Sequence, residues 1–398
     1  MSLCVLFIIN FKICFGENEA PLVQPNSAER KLPVLVFIHG GGFVFGAAHQ
    51  YPPHALMNKD IVFVAIQYRL GIFGFLSTED SVIPGNMGLK DQQLALKWIK
   101  ENIGAFGGDP DRITIFGESA GGASVNYQIL SPGSKGLFAR AIMQSGTSIC
   151  PWASNKDHRK FAIETGHQFN CSIETGSEKY WNVCKMSIHI IWNLLNLNQL
   201  YVLPRVDGEF IDEAPEILMK KGKYNKVDII SGITKDEGGF FLLLEHLEPS
   251  VKQIKNDKFD EAGPAFLSFR DEEHSVELSK QVYRYYLQRE DITLTDEDKL
   301  KKVEVLTDRH FKVCHDIVSQ FFSADDKVRF YSYQLDHFGQ SSFLAIPGYD
   351  RSNLISHAED LPYLFSGGVF GAKNMEDEDD LKLREIILNL WVNFAEYG

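Results

Sequence analysis

An α/β fold built on a mostly parallel sheet is predicted by three features of the sequence. Short apolar runs recur along the chain, helical patterns separate them, and no internal repeat or low-complexity linker breaks the alternation. The runs are LPVLVFIH (32–39), IVFVAIQY (61–68), RITIFG (112–117), ARAIMQS (139–145), VDIISGI (227–233) and VRFYSYQL (328–335). Such runs suit strands buried on both faces, because a parallel sheet covered by helices needs apolar side chains in both directions. Between the second and third runs, GLKDQQLALKWIKENI places Leu94, Ala95, Trp98 and Ile99 on one stripe of an amphipathic helix. The stretch from Trp152 to Pro204 lacks the strand rhythm and reads as a helical insertion beside the sheet. Residues 26–398 therefore read as one domain, preceded by a leader or unrelated segment over residues 1–25.

Composition narrows the function classes. With 44% hydrophobic and 23% charged residues over 398 positions, the chain has enough apolar material for a large packed core. Lys and Arg number 40 against 53 Asp and Glu, a formal charge of −13, which is the wrong sign for gripping phosphate backbones; nucleic acid is not an expected partner. Six Cys are too few for a disulfide-built scaffold of this length. No run approaches the ~18 apolar residues of a spanning helix, so no transmembrane segment is expected. The apolar stretch Leu3 to Phe11 is short enough for a signal-peptide core, although no Lys or Arg precedes it. The acidic run Glu376 to Asp380 reads as a solvated loop.

The chemistry is concentrated in two glycine-rich segments. In ITIFGESAGGASV, Gly117-Glu118-Ser119-Ala120-Gly121 falls between an apolar strand and a helix starting near Gly122, the context of a nucleophile elbow. A serine on so sharp a turn needs small residues two positions to either side, so that strand and helix can pass closely. The second segment, His39-Gly40-Gly41-Gly42-Phe43, directly follows the first strand. Glycines there let backbone N–H groups face a developing oxyanion, and each such donor stabilises the transition state by roughly 3–4 kcal/mol. Gly41, Gly42 and Ala120 are the candidate donors. A phosphate loop is the rival reading, but no G-K-[ST] follows.

A neutral serine hydroxyl is a poor nucleophile, so a base must take its proton and an acid must orient that base. In the expected chain order the acid follows the nucleophile and the histidine comes last. Asp236 and Glu237 both follow the strand VDIISGI, where loops at strand ends carry the chemistry of open α/β sheets. The later histidines are His246, His274, His310, His315, His337 and His357, and spacing does not choose among them. His246 lies uncomfortably close to the acid. His310 and Cys314 share a helical face, but two residues do not make a metal site, and no metal or organic cofactor is expected.

Here the chain resembles the type-B carboxylesterases, the α/β-hydrolase family that includes cholinesterases, insect alpha-esterases and juvenile hormone esterases. The motifs that carry the resemblance are KLPVLVFIHGGGF, YRLGIFGFLS, NMGLKDQQLALKWIKENIGAFGGDPDRITIFGESAGGASV, MQSGTSICPWA, GITKDEGGFF and ISHAEDLPYLF, spread from Lys31 to Gly398. It implies an α/β-hydrolase fold and the cleavage of small carboxylic esters through an acyl-enzyme. It also implies Ser119 as nucleophile, Glu237 as acid and His357 as base, with Gly41, Gly42 and Ala120 as the oxyanion hole. Glu118 matches the family's second buried carboxylate; juvenile hormone esterases often carry Gln there, which argues against that hormone as substrate. Trp152 falls where the family lines its acyl pocket, Phe240 and Phe241 where it lines the gorge, with plain core packing as the rival reading for all three. Arg69 and Asp91 resemble the family's structural ion pair. Cys171 and Cys184 resemble a family disulfide, which together with the sequon Asn170-Cys171-Ser172 implies a secreted or ER-lumenal glycoprotein. Cys150, in the SICPWA motif, reads as a buried free thiol, and Cys314 gives no signal.

The chain also departs from the family. No antiparallel strands or early disulfide loop are recognisable before Asn26, the segment around Asn196 to Leu203 looks shortened, and the final strand and helix beyond WVNFA are missing from the pattern. Without those first strands, IVFVAIQY is expected as an exposed sheet edge, and the protein as poorly soluble. A non-catalytic or inactive family member is the second functional reading. Adhesion members usually lose the nucleophile, whereas GESAG is retained here.

Overall fold

The computed structural model describes residues 12–14, 31–155, 157–168, 202–247, 258–270, 272–342, 345–346, 348–365 and 375–398. Among the described residues, seven strands form one sheet in the order β1-β3-β2-β4-β5-β6-β7. They are β1 (Lys12–Cys14), β2 (Leu32–Ile38), β3 (Val62–Ile66), β4 (Gly108–Glu118), β5 (Arg140–Gln144), β6 (Asp228–Thr234) and β7 (Phe330–Leu335). Strands β2 to β7 pair in parallel and only β1 is antiparallel. The six apolar runs are thus the six parallel strands of an α/β-hydrolase sheet.

Continuous apolar character is explained by burial on both faces. Along β2, Val34, Val36 and Ile38 enter one core cluster while Leu35 and Phe37 enter the other. The first cluster is covered by α1 (Met87–Asn102) and α2 (Ala120–Leu130). The second is covered by the C-terminal helix Glu378–Tyr397, through Leu388, Trp391 and Phe394, and is rich in rings: Phe37 lies 4.9 Å from Phe116 and 4.7 Å from Phe365. Offset and tilted pairs of this kind add to plain area burial.

Three expectations need correction. The run IVFVAIQY is not a bare edge, because β1 pairs with β3 over Lys12↔Ala65, Ile13↔Val64 and Cys14↔Phe63; part of residues 1–25 therefore belongs to the sheet. On α1 the buried positions are Gly88, Leu89, Asp91, Gln92, Ala95, Leu96 and Ile99, whereas Leu94 is 46% exposed. Ala95 and Ile99 are buried as expected and Trp98 packs half-buried against them, while Leu89 and Leu96 of the same segment take the place expected of Leu94. The acidic run is a helix start, in which Asp377 accepts from the N–H groups of Asp379 and Asp380. Asp380 is buried and accepts from Gln340 N–H at 2.7 Å.

The insertion expected over Trp152 to Pro204 contains α3 (His158–Gln168), and residues 169–201 lie outside the described residues. Asn170, Cys171 and Cys184 fall among these, so neither the sequon nor the proposed bridge is located. Among the described residues no helix is long and apolar enough to cross a membrane.

Candidate active site

Because β2 to β7 run parallel, the loops leaving their C-terminal ends gather along one edge of the sheet, where open α/β folds place their chemistry. Register aligns them: Ile38 pairs with Gly117, Glu118 with Gln144, and Gln144 with Gly232. The glycine loop after β2, Ser119 after β4 and Glu237 after β6 leave the sheet at nearly one level.

Ser119 sits between β4 and α2 with φ 59° and ψ −124°, a conformation that a residue with a side chain adopts only under constraint. The constraint is visible. Ser119 N–H donates to Gln144 O at 2.8 Å, and Ser119 O accepts from Ala123 N–H at 2.9 Å. A Cβ on Gly117 would lie 2.6 Å from Gly121 O, and one on Gly121 would lie 2.0 Å from Ile38 O. No other residue type fits at either position without moving the backbone, which is the physical content of the G-x-S-x-G spacing. Helix α2 begins at Ala120 rather than near Gly122, so the elbow is tighter than expected.

The glycine loop is held from below by His39. Its ring stacks on Tyr68 with centroids 4.5 Å apart, and its carbonyl accepts from the Tyr68 hydroxyl at 2.7 Å. Burial lowers this imidazole to about 4, so it is a neutral structural group. Gly41 has φ +106°, and its carbonyl accepts from Val44 and Phe45 N–H at 3.0 Å each. The N–H groups of Gly41, Gly42 and Ala120 donate to no other group among the described residues. Ala120 is the first residue of its helix, whose leading N–H groups have no intrahelical acceptor.

Asp236 and Glu237, left open by spacing, are separated by the fold. Asp236 turns to the loop that carries the histidine: its N–H donates to Ile355 O at 2.9 Å and its carboxylate accepts from Ile355 N–H at 3.1 Å. Glu237 is fully buried, accepts from Thr234 N–H at 2.9 Å, and places Oε2 2.6 Å from His357 Nδ1. The chain thus uses one carboxylate to bring the loop in and the next to hold the imidazole. Among the other histidines, His310 Nε2 bonds Phe266 O at 2.7 Å and His337 Nε2 pairs with Asp380 at 2.7 Å; His246 packs on Tyr349 and His274 is exposed.

The other imidazole nitrogen meets a second carboxylate. His357 Nε2 lies 3.0 Å from Glu118 Oε1, on the residue that precedes the serine. That oxygen has no hydrogen bond of acceptable angle, so the contact is one of charge and proximity. The Ser119 hydroxyl makes no hydrogen bond among the described residues, so the expected serine–imidazole bond is not formed in this resting arrangement. Burial by itself would lower the His357 imidazole, but Glu118 and then Glu237 outweigh it and raise it to about 9. Burial raises Glu118 to about 8, against the pull of His357. The two groups share one proton-binding equilibrium, and the direction common to both is retention of a proton at neutral pH.

Sequence reasoning missed Phe311, whose ring lies 4.6 Å from that of His357, because no motif marks it. It also left Asp360 unassigned within AEDLPYLF. This buried carboxylate accepts from Gln144 at 2.7 Å and from the Tyr333 hydroxyl at 2.9 Å, behind the imidazole. Burial raises its pKa. Phe240 packs 5.7 Å from the His357 ring and Phe241 lies 5.1 Å from His310. The Trp152 indole N–H donates to His310 O at 2.9 Å. Arg69 and Asp91 form a two-pronged pair at 2.7 and 2.8 Å, with Asp91 also accepting Arg69 N–H at 3.1 Å.

Cys150 is not a free thiol. It is bonded to Cys314, 164 residues away, and both are buried. Local spacing carries no trace of a pairing that only the packed fold creates. Cys314 is therefore unavailable as a metal ligand beside His310, and no metal-binding cluster occurs among the described residues.

Comparison with known proteins accords with this architecture. The profile of the carboxylesterase family matches residues 19–398. Esterase FE4 of Myzus persicae is 33% identical over 396 residues, covering 95% of this chain and 69% of that protein. Venom carboxylesterase-6 of Apis mellifera is 33% identical, with 98% and 70% covered, and Neuroligin-2 of Mus musculus is 32% identical, with 96% and 46% covered. With a hydrolase sheet, a serine elbow and a profile match over nearly the whole chain, this protein belongs to the carboxylesterase family.

Proposed function

We propose that this protein is a serine carboxylesterase that cleaves small carboxylic esters, without metal or organic cofactor. The observation that carries the reading is the buried His357–Glu237 pair at 2.6 Å on the loop edge that also holds the strained Ser119 and three uncommitted N–H donors. Ser119 Oγ attacks the ester carbonyl carbon. His357 Nε2, released from its contact with Glu118, takes the hydroxyl proton and passes it to the leaving alcohol, while Glu237 orients the ring and stabilises the imidazolium. Gly41, Gly42 and Ala120 N–H groups hold the tetrahedral oxyanion, and water then repeats the sequence on the acyl-enzyme. Trp152, Phe240 and Phe241 wall the ester's pocket, Glu118 tunes the base, and the Arg69–Asp91 pair supports the fold. The Cys150–Cys314 bridge and the esterase relatives support an oxidising, extracellular or ER-lumenal setting.

Hydrolysis of p-nitrophenyl acetate by the intact chain and its Ser119→Ala variant tests this reading. Turnover in the parent that disappears in the variant is expected; equal turnover in both sinks it. The rival, a family member that binds without turnover, draws on the absence of a Ser119–His357 hydrogen bond and on the similarity to Neuroligin-2. An inactive parent that does not react with an organophosphate would favour the rival.

A further inference from the structure

The Cys150–Cys314 bridge joins two segments 164 residues apart in sequence. On one side is the loop after β5, built onto the nucleophile helix α2. Asn126 of that helix accepts from Ser148 N–H and Oγ at 2.9 and 2.6 Å, and the Tyr127 hydroxyl donates to Ala153 O at 3.0 Å. Within the loop, Cys150 N–H donates to Thr147 O and Ala153 N–H to Cys150 O. On the other side, helices Lys299–Thr307 and Val313–Ser323 are joined without a break by a π-helical turn, Asp308–Lys312. Such a turn admits an extra residue into an α-helix and is often found at functional sites. Here it carries His310 and Phe311.

We propose that the Cys150–Cys314 disulfide is a positioning strut for the base, fixing the π-helical turn to the nucleophile side so that Phe311 stays against the His357 ring. The inference rests on the esterase reading of Ser119 and His357. Two links run in parallel between the same segments: the covalent bond, and the Trp152 indole N–H to His310 O at 2.9 Å. Trp152 also packs on Phe311, with centroids 5.8 Å apart. Phe311 in turn covers the imidazole at 4.6 Å, closer than Phe240 at 5.7 Å. The path from α2 through the loop, the bridge and the π turn therefore ends on the base itself. Both sulfurs are buried, with Cys150 1% and Cys314 3% exposed, which fits a permanent strut.

The charged groups around His357 give the strut a measurable signature. They are the carboxylates Glu118 at the end of β4, Glu237 after β6 and Asp360 on its own loop; His310, the titratable ring on the turn, bonds Phe266 O through Nε2. Loosening Phe311 admits water, raises the local dielectric and weakens the attraction between the carboxylates and the imidazolium. The imidazole then titrates closer to its ordinary range.

The experiment compares the parent with Cys150→Ala/Cys314→Ala and, with the bridge kept, Phe311→Leu. It reads kcat and KM for p-nitrophenyl acetate and the His357 ring titration by NMR. A kcat loss of about tenfold or more with KM changed little, and a His357 midpoint lowered in both variants, is expected. A folded double variant that keeps the parent's kcat and midpoint overturns the proposal. If the double variant does not fold, Phe311→Leu decides, and an unmoved midpoint overturns it. Because the NMR midpoint needs no turnover, a moving midpoint in an inactive parent would remove the esterase reading and leave the strut standing.

Discussion

His357 Nε2 lies 3.0 Å from Glu118 Oε1 while Nδ1 lies 2.6 Å from Glu237 Oε2, so one imidazole is held between two buried carboxylates. Two negative partners favour the imidazolium, which cannot act as a base. The pH–rate profile of kcat/KM should therefore rise with pH on a limb whose midpoint lies above the ordinary histidine value, as the cluster gives up its shared proton. Glu118→Gln removes the larger of the two raising influences and should move that limb toward lower pH. A profile unchanged by the substitution would mean that Glu118 carries no charge in the working enzyme.

A substitution at the elbow separates steric from chemical roles. Gly121→Ala would put a methyl group 2.0 Å from Ile38 O, inside the contact between β2 and α2. Backbone cannot retreat as a flexible side chain can, so a loss of at least 1–3 kcal/mol, roughly the cost of overpacking a core, is expected in urea unfolding. A midpoint equal to the parent's would show that strand and helix can separate there at no cost.

Two buried histidines are expected to steepen the loss of stability in acid. Burial is the leading cause for both His39 and His158, and each is lowered to about 4. Unfolded, they bind protons near pH 6.5, so stability is full above that value and falls as pH drops from about 6.5 through 4. Each group contributes roughly 3 kcal/mol to the loss once protonation is complete. Replacing His158 by Gln should flatten the pH dependence of the unfolding midpoint; an equally steep curve would assign the acid sensitivity elsewhere.

Much of this was legible in the sequence, for identifiable reasons. Strands β2 to β6 were marked because burial on both faces leaves little polar alternation, whereas β7 is a sheet edge with Tyr331, Ser332 and Gln334 exposed; the elbow was marked because steric contact admits only glycine at 117 and 121. Choosing Glu237 over Asp236 required the resemblance, since both follow the same strand and only the fold shows one turned to Ile355 and the other to His357. What stayed hidden depends on long-range packing: the 164-residue Cys150–Cys314 pairing, Phe311 on a π-helical turn, and a short strand at Lys12–Cys14. The orientation of Nε2 toward Glu118 was hidden for another reason. Adjacent residues at an elbow can both face the imidazole, and sequence does not say which one the resting ring prefers.

The account depends on an activated hydroxyl at Ser119, and covalent capture tests that without knowledge of the natural ester. Intact-mass analysis after treatment with a fluorophosphonate should find one adduct per chain, mapped to Ser119 and lost in both Ser119→Ala and His357→Ala. A parent chain that remains unmodified, or an adduct that persists in His357→Ala at the parent's rate, would contradict it.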